Sequence, residues 1–333
     1  MKRSCLLIVG ALVLSFSPSG ARPIPWVTVA GLAEAADVIV LGQIVSSKQV
    51  GVATLELGSE KVPSRVLTAQ LHAQEVMKGA PGASDITVRF LLPEYSVGYR
   101  TPPAGTSAIF FLTPSGQEYS FTSPYRPSIP GMPGAMPEGG TLLDQLAGHV
   151  RAVIESTEAR RDQKYEAIFA LGEIPGDRST QALHFASSLG EPILQLSAIA
   201  VLLMRNDISG LQVAADVLLR PTNGPASEVR ENLLAGITQV KDPQAVSALA
   251  ALVRGGDDRV RRAAAEGLWH TGSPNAIAAL IRALDDPNDQ VRYYAIIGLA
   301  DITGQPDWRP NTDDFRDREA SYLSYWKEWA KSR

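Results

Sequence analysis

The chain has 333 residues, of which 45% are hydrophobic and 20% are charged, and its formal net charge at pH 7 is −4. This composition is typical of a folded protein with room for about two domains, and it excludes a compositionally disordered chain. Because the charge balance is mildly acidic, the chain lacks the global attraction to nucleic acid and anionic membranes that a strongly basic protein has.

The first residues have the pattern of a secretory signal peptide. Lys2 and Arg3 precede an apolar run over residues 5–16, and small residues follow up to Ala21. The run is too short for an ordinary transmembrane helix. We therefore predict a signal peptide over residues 1–21 and an exported protein, periplasmic or extracellular, with no membrane span after signal removal. An uncleaved anchor is the alternative.

Cys5 is the only cysteine, and it lies inside the predicted signal peptide. Removal of the signal would leave a mature chain that contains no cysteine and is held together by its core alone. Disulfide bonds, thiol catalysis, zinc-thiolate sites and iron-sulfur clusters are thereby excluded from the predicted mature protein.

Residues 26–125 alternate between apolar and polar side chains in short runs separated by turn sequences such as "TPPAG". This pattern indicates a β-domain, preceded by a short helix over residues 29–36. Five strands in about a hundred residues favour a small closed barrel, with a β-sandwich as the alternative, because both leave few open sheet edges. The predicted strands cover residues 37–46, 65–77, 85–92, 107–113 and 118–123.

The segments "EAADVIVLGQIV", "EVMKGAPGASDITVRF" and "AGTSAIFFLT" resemble the OB-like barrel of the netrin and tissue-inhibitor type found in exported bacterial proteins. In metalloproteinase inhibitors of that family, an N-terminal cysteine coordinates the zinc of the protease. The predicted mature chain has no cysteine, so the resemblance implies the fold without that zinc-directed activity.

Residues 123–140 contain five prolines and four glycines. Such a segment is predicted to form no regular element, and residues 126–140 are assigned as a linker or an ordered wrapping loop. Helical patterning begins directly afterwards, where Thr141 and Asp144 have the spacing of a capping box.

A repeat follows over residues 141–304, with copies that start at Gln163, Ile193, Val229, Val260 and Val291. Offsets zero, four, seven and eight from each start lie on one face of an α-helix. Offset seven is always small, which indicates that a neighbouring helix packs closely there. The predicted packing residues of the last three copies are Val229, Gly236, Val260, Gly267, Leu268, Val291, Gly298 and Leu299.

Each copy continues into a second helix, for which Asp242 and Ser273 are predicted N-caps. Helix pairs of this length must stack to bury their apolar faces. The pattern resembles HEAT repeats of the short type also found in phycobilisome lyases, from residue 160 to residue 304. The expected fold class is therefore multidomain, an N-terminal OB-like β-barrel followed by an α-α superhelix of the HEAT or armadillo type. The resemblance implies that the second helices, which here carry few charges, line the concave face.

Arginines recur one residue after the start of the last three copies, next to acidic residues. One interpretation is a basic ladder for phosphate. The other is that each arginine pairs with an acid of an adjacent repeat. The sequence favours the second, an inter-repeat charge ladder formed by Arg230, Arg261, Arg292, Asp258 and Asp289.

The last segment, residues 305–333, places Phe315, Tyr322, Trp326 and Trp329 on one helical face. Since the terminal repeat of a stack must cover an open end, we predict a C-terminal cap formed by Tyr322, Trp326 and Trp329. An exposed aromatic docking site is the alternative.

The sequence shows no motif of a known catalytic, phosphate-binding or metal-binding site, and its four histidines are scattered. We therefore predict no catalytic residue, no cofactor and no metal. The favoured hypothesis is an exported, non-enzymatic scaffold that binds an unidentified protein or peptide and no nucleic acid. The alternatives are a lyase-like enzyme acting on a chromophore-bearing client protein, and a protease inhibitor acting through the β-domain. The histidines are His72, His149, His184 and His270.

Overall fold

The computed structural model describes residues 27–57, 60–95, 98–133, 140–220 and 227–332. The predicted signal peptide lies outside these residues. An N-terminal β-sheet domain is followed by a helical repeat region.

The β-domain begins with α1 (Val29–Ala35), where the Thr28 hydroxyl accepts a hydrogen bond from the Gly31 backbone N–H at 3.0 Å. Six strands follow instead of the five predicted. They are β1 (Val38–Leu57), β2 (Glu60–Lys78), β3 (Asp85–Pro93), β4 (Ser107–Ser115), β5 (Glu118–Phe121) and β6 (Ser128–Pro130).

The strand pairings of the sheet form a circuit. The order runs β1-β2-β3-β5-β4, and β1 pairs with β4 as well as with β2. All pairs are antiparallel except β3 and β5, which run parallel and meet at Val88 and Tyr119. Beyond Gln43, β1 continues along β2 after its ladder with β4 has ended. Both strands are therefore longer than predicted.

Strand β4 is buried on both faces, which explains its uninterrupted apolar sequence. Phe110 packs with Val40 and Val88 in one cluster of buried residues within the sheet domain. Its neighbours Ile109 and Phe111 belong to a different cluster, which they share with the first helices of the repeat region.

The expectation that residues 123–140 form no regular element is wrong for β6. Ile129 pairs with Ile109 of β4 and is buried. The strand is only three residues long and ends at Pro130, as expected for a proline-containing edge strand. Gly131 follows it, and a Cβ there would lie 2.5 Å from the Ile109 side chain, so a larger residue would require Ile109 to shift.

The repeat region starts at α2, where the Thr141 hydroxyl accepts from the Asp144 N–H at 3.2 Å and the Asp144 carboxylate accepts from the Thr141 N–H at 3.0 Å. Asp242 and Ser273 each cap a 3₁₀ turn that leads into a second helix. The helices are α2 (Leu142–Glu155), α3 (Arg161–Gly172), α4 (Asp177–Ser187), α5 (Pro192–Met204), α6 (Leu211–Leu218), α7 (Ser227–Gln239), α8 (Val246–Gly255), α9 (Asp258–His270), α10 (Ile277–Ala283), α11 (Asp289–Thr303) and α12 (Thr312–Lys331).

The first helices of the five copies, α3, α5, α7, α9 and α11, contact one another in succession, and the second helices pack beside them. One continuous core extends from α5 to α12. Another joins α1, β1 and β4 to helices α2 to α5. The β-domain and the first repeats therefore share a core.

The repeat positions Val229, Val260 and Val291 are buried, as are Leu268 and Leu299. These side chains lie in the continuous core between α5 and α12.

The small residues at offset seven lie against the preceding repeat. A Cβ on Gly236 would stand 2.8 Å from the Ala200 carbonyl oxygen, and one on Gly267 would stand 2.8 Å from that of Ile237. At Gly298 the nearest atom is a methyl group of Leu280, at 3.0 Å. Larger side chains would push consecutive first helices apart.

The arginines of the last three copies each bind an acid that lies further along the chain. Arg230 bonds to Asp257 at 2.5 Å, and Arg292 bonds to Glu319 at 2.5 Å. Arg261 makes two contacts with Asp286, at 2.7 and 3.0 Å. Arginines therefore join successive repeats.

The predicted acid partners of this ladder, Asp258 and Asp289, are corrected by the structure. Asp258 bonds to Arg261 of its own helix at 2.9 Å, three residues away. Asp289 likewise occupies the first turn of its own helix, α11. Acidic residues just before a first helix, such as Asp257 and Asp286, lie nearer the preceding repeat. These residues form the ion pairs between repeats.

Candidate functional site

A contact joins the first helices α3 and α7. The Tyr165 hydroxyl on α3 donates to the Glu228 carboxylate at 2.9 Å and accepts from the Asn232 side-chain amide at 2.8 Å, both on α7. Helix α5 packs against both α3 and α7. These side chains therefore connect first helices that are two repeats apart.

The expectation that the second helices line the concave face stays a prediction. The surface beside the α3–α7 contact carries polar and aromatic residues of the first helices, among them Tyr165 and Phe169. Repeat spacing reports which helix face is buried, but it does not report the direction of curvature.

A groove of about 840 Å³ lies between this surface of the first helices and the β-domain. Tyr125 and Ile129 belong to its β-domain wall, and Tyr165 and Phe169 to its helical wall. Met204 adds apolar surface from α5. An apolar groove with a few positioned polar groups is the usual form of a ligand site.

The Glu173 carboxylate holds the two walls of the groove together. It accepts hydrogen bonds from the Val29 N–H at 2.9 Å and from the Arg126 guanidinium, which also donates to the Val27 carbonyl at 3.3 Å. Both charged side chains are largely buried. Glu173 therefore neutralises Arg126 and fixes the β-domain against α3.

A second arginine of the groove, Arg205, binds the end of α3. Its guanidinium donates to the carbonyls of Leu171 and Ile174, both at 3.2 Å, and to the Ser179 hydroxyl at 2.9 Å. Burial lowers the pKa of Arg205, against the opposing effect of Asp207. Its N–H groups therefore bind carbonyl oxygens at the C-terminal end of α3.

Tyr165 is held in place by its neighbours. Burial raises its pKa, and the Glu228 carboxylate adds to the effect, to about 12. The phenol is therefore protonated at neutral pH and acts as a donor. Its ring packs on Phe169, with 4.9 Å between centroids.

Further along the same succession of first helices, Glu266 of α9 and Tyr294 of α11 interact. Burial raises the pKa of Glu266, and burial together with this carboxylate raises the pKa of Tyr294 to about 12. Trp269 stacks on Tyr294 with 6.1 Å between centroids, and its indole N–H donates to Asp301 at 2.7 Å.

These residues lie outside the repeat positions that the sequence pattern predicts. Tyr165 stands at offset two of its copy and Tyr294 at offset three, and Phe169 and Glu266 stand at offset six, between the packing positions. Large aromatic side chains at offsets that packing does not require are the signal that could have indicated this surface.

The four histidines lie apart, and each has its own partner. Across the described ranges, no group of three or more His, Cys, Asp or Glu residues is arranged to hold a metal ion. The contacts are His72 with Asp85, His149 with Met132 and Glu75, His184 with Asp207, and His270 with Thr238.

The predicted cap residues lie on α12, against the end of the stack. Trp326 is fully buried, and its indole N–H donates to the Trp308 carbonyl at 3.3 Å. Tyr322 is buried, while Trp329 is partly exposed and packs edge-on against Trp326. The largest aromatic ring of this face therefore points into the protein.

Residues 215–300, from α6 to α11, match the family model of HEAT repeats. This part of the chain is similar to HEAT repeats. The match includes the first helices of the three copies in which the sequence pattern is strongest.

Among solved structures, human deoxyhypusine hydroxylase in complex with glycerol is similar at 16% identity, over 57% of this chain and 77% of that one. The TM-score is 0.26, so the similarity carries no argument about fold or function. No curated protein matches the chain. Within the described ranges, no helix has the length and apolar character needed to cross a membrane.

Proposed function

We propose that the protein is a non-enzymatic scaffold whose groove between the β-domain and the first helices holds an extended segment of a protein or peptide partner. The observation that supports this proposal is the groove itself. It is about 840 Å³ in size, and it combines Phe169, Met204 and Ile129 with the fixed hydrogen-bonding groups of Tyr165 and Asn232. Aromatic rings and convergent polar groups in one groove suit peptide recognition.

The state of the polar groups supports binding rather than catalysis. Tyr165 has a pKa of about 12, which is too high for a general base at neutral pH. Arg126 is neutralised by Glu173, and Arg205 is bound to backbone carbonyls. A lyase-like reaction or protease inhibition remains an alternative that no contact in the groove favours.

A nucleic-acid partner is disfavoured by the charges of the groove. Glu166 and Glu228 line it, and two of its three arginines, Arg126 and Arg205, are already bound. Binding to a phosphate backbone instead requires a dense row of cations. The partner is therefore proposed to be a protein or peptide.

The β-domain is proposed to be an OB-like barrel that forms one wall of the groove. The strand circuit β1-β2-β3-β5-β4, with β3 parallel to β5, supports a closed arrangement over an open sandwich. Export by the signal peptide over residues 1–21 is part of the proposal, as is a relation of the repeats to the phycobilisome lyase type. Sequencing the N-terminus of protein from the cell envelope tests export, because a terminus at Met1 would contradict cleavage.

A peptide library tests the groove. The mature protein, immobilised, is incubated with random dodecapeptides, and the retained peptides are sequenced. We expect a reproducible set whose retention is lost in Phe169→Ala and kept in Phe185→Ala, a matched change on α4 outside the groove. Equal retention by all three proteins, or no reproducible set, would contradict the proposal.

A further inference from the structure

We propose that the groove selects a segment carrying a lysine or arginine side chain, and that the cation lies between the Tyr165–Phe169 ring pair and the carboxylates of Glu166 and Glu228. This inference rests on the proposed function and specifies its partner. The preference follows from which charges of the groove are already paired.

Two of the three arginines that line the groove are already bound. Arg126 is neutralised by Glu173, and both side chains are largely buried. Arg205 donates to two carbonyls and a hydroxyl at the end of α3. The third, Arg100, is exposed and belongs to the β-domain wall.

Two carboxylates of the helical wall, unlike Glu173, bind no guanidinium directly within the described part of the chain. Glu228 is exposed, and its Oε1 accepts from the neutral phenol of Tyr165. Glu166 is exposed on α3 and interacts with Arg160 only through space, because that guanidinium is hydrogen-bonded to Asp162. The groove is thus polarised, with negative charge on the helical wall and Arg100 opposite.

The ring pair makes the helical wall suitable for a cation with an apolar stem. Tyr165 and Phe169 pack with an interplanar angle of 49°, and two hydrogen bonds to α7 hold the Tyr165 ring. A lysine or arginine can lay its methylene groups on aromatic and aliphatic surface while its charge meets a carboxylate. Because the ring is already positioned, little ordering is required on binding.

The dodecapeptide library described above supplies the test, with Glu228→Gln as the variant and Glu158→Gln as a matched change at an exposed acid outside the groove. We expect lysine and arginine to be enriched among peptides retained by the wild type and by Glu158→Gln, and not by Glu228→Gln. A retained peptide should lose about tenfold in affinity when its basic residue becomes norleucine, the loss of one charge-assisted hydrogen bond.

The outcomes separate the two proposals. Retention that depends on Phe169 without basic enrichment, or enrichment that persists in Glu228→Gln, would overturn the cation preference and leave the peptide groove standing. No reproducible retention would overturn both. Glu228→Lys should reverse the preference toward acidic peptides. Because this variant loses the hydrogen bond to Tyr165, its circular dichroism spectrum is compared with that of the wild type to show that it is folded at the temperature of the assay.

Discussion

Arg261 and Asp286 form a two-point ion pair between successive repeats, with contacts of 2.7 and 3.0 Å. Only 15% and 8% of the two side chains are exposed. Paired guanidinium and carboxylate groups with this geometry fix the orientation of one helix pair on the next.

Asp286→Asn should lower the free energy of unfolding by about 3 kcal/mol, because it leaves the guanidinium of Arg261 largely buried without its main counter-charge. Urea unfolding measures the loss. Asp313→Asn is the matched control, because its pair with Arg316 is exposed and such pairs contribute about 0–1 kcal/mol. Equal losses in both variants would refute the inter-repeat role.

Gly267→Leu should destabilise the array by about 1–3 kcal/mol or more, since even a Cβ would lie 2.8 Å from the Ile237 carbonyl oxygen. Gly190→Ala is the control, because no atom lies within 4 Å of a Cβ built there. Thermal unfolding provides the comparison. A Gly267→Leu variant that melts with the parent would show that the close approach is not required.

Trp326→Ala should cost about 3–5 kcal/mol, the usual effect of removing a large buried aromatic side chain. The reason is that Trp326 is fully buried between α12 and the last repeat. Tyr95→Ala, at a side chain that is 52% exposed, should change the unfolding midpoint little. If both variants were equally stable, α12 would not close the stack.

Stability should fall in acid partly through Asp257. Burial raises the pKa of this carboxyl, but hydrogen bonds from the Val260 N–H and from Arg230 outweigh burial and lower it overall. A lowered pKa in the folded state stabilises the protein above the unfolded value near pH 4 and ceases to do so as pH falls through the folded value. The unfolding free energies of wild type and Asp257→Asn should therefore differ above about pH 4 and converge below it. A difference independent of pH would contradict this.

Helical periodicity was sufficient to predict the helix pairs and the buried positions Val260, Gly267 and Leu268, because one amphipathic face repeats in every copy. Pairing of charges was predicted less well. Asp258 precedes Arg261 by three residues and bonds within its own helix, whereas Asp286, which joins the repeats, lies in a turn. Sequence spacing alone does not give the direction in which a side chain leaves its helix.

The groove could not be predicted from the sequence, because distant segments build it. The Val29 N–H and the Arg126 guanidinium both bind Glu173, and Tyr165 meets Glu228 across α5. These contacts depend on how the β-domain packs on the repeats and on how the first helices stack on one another. Neither leaves a local pattern in the chain.

The core that the β-domain shares with α2 to α5 gives the two ends of the array different neighbours. The first copies, at Gln163 and Ile193, depart from the valine-arginine pattern, and α3 packs against β6, while α12 covers the other end. A copy duplicated between α7 and α11 would meet the same kind of surface on both sides, whereas one inserted beside α3 would not. A change of length in the middle of the array should therefore disturb the groove less than one at either end.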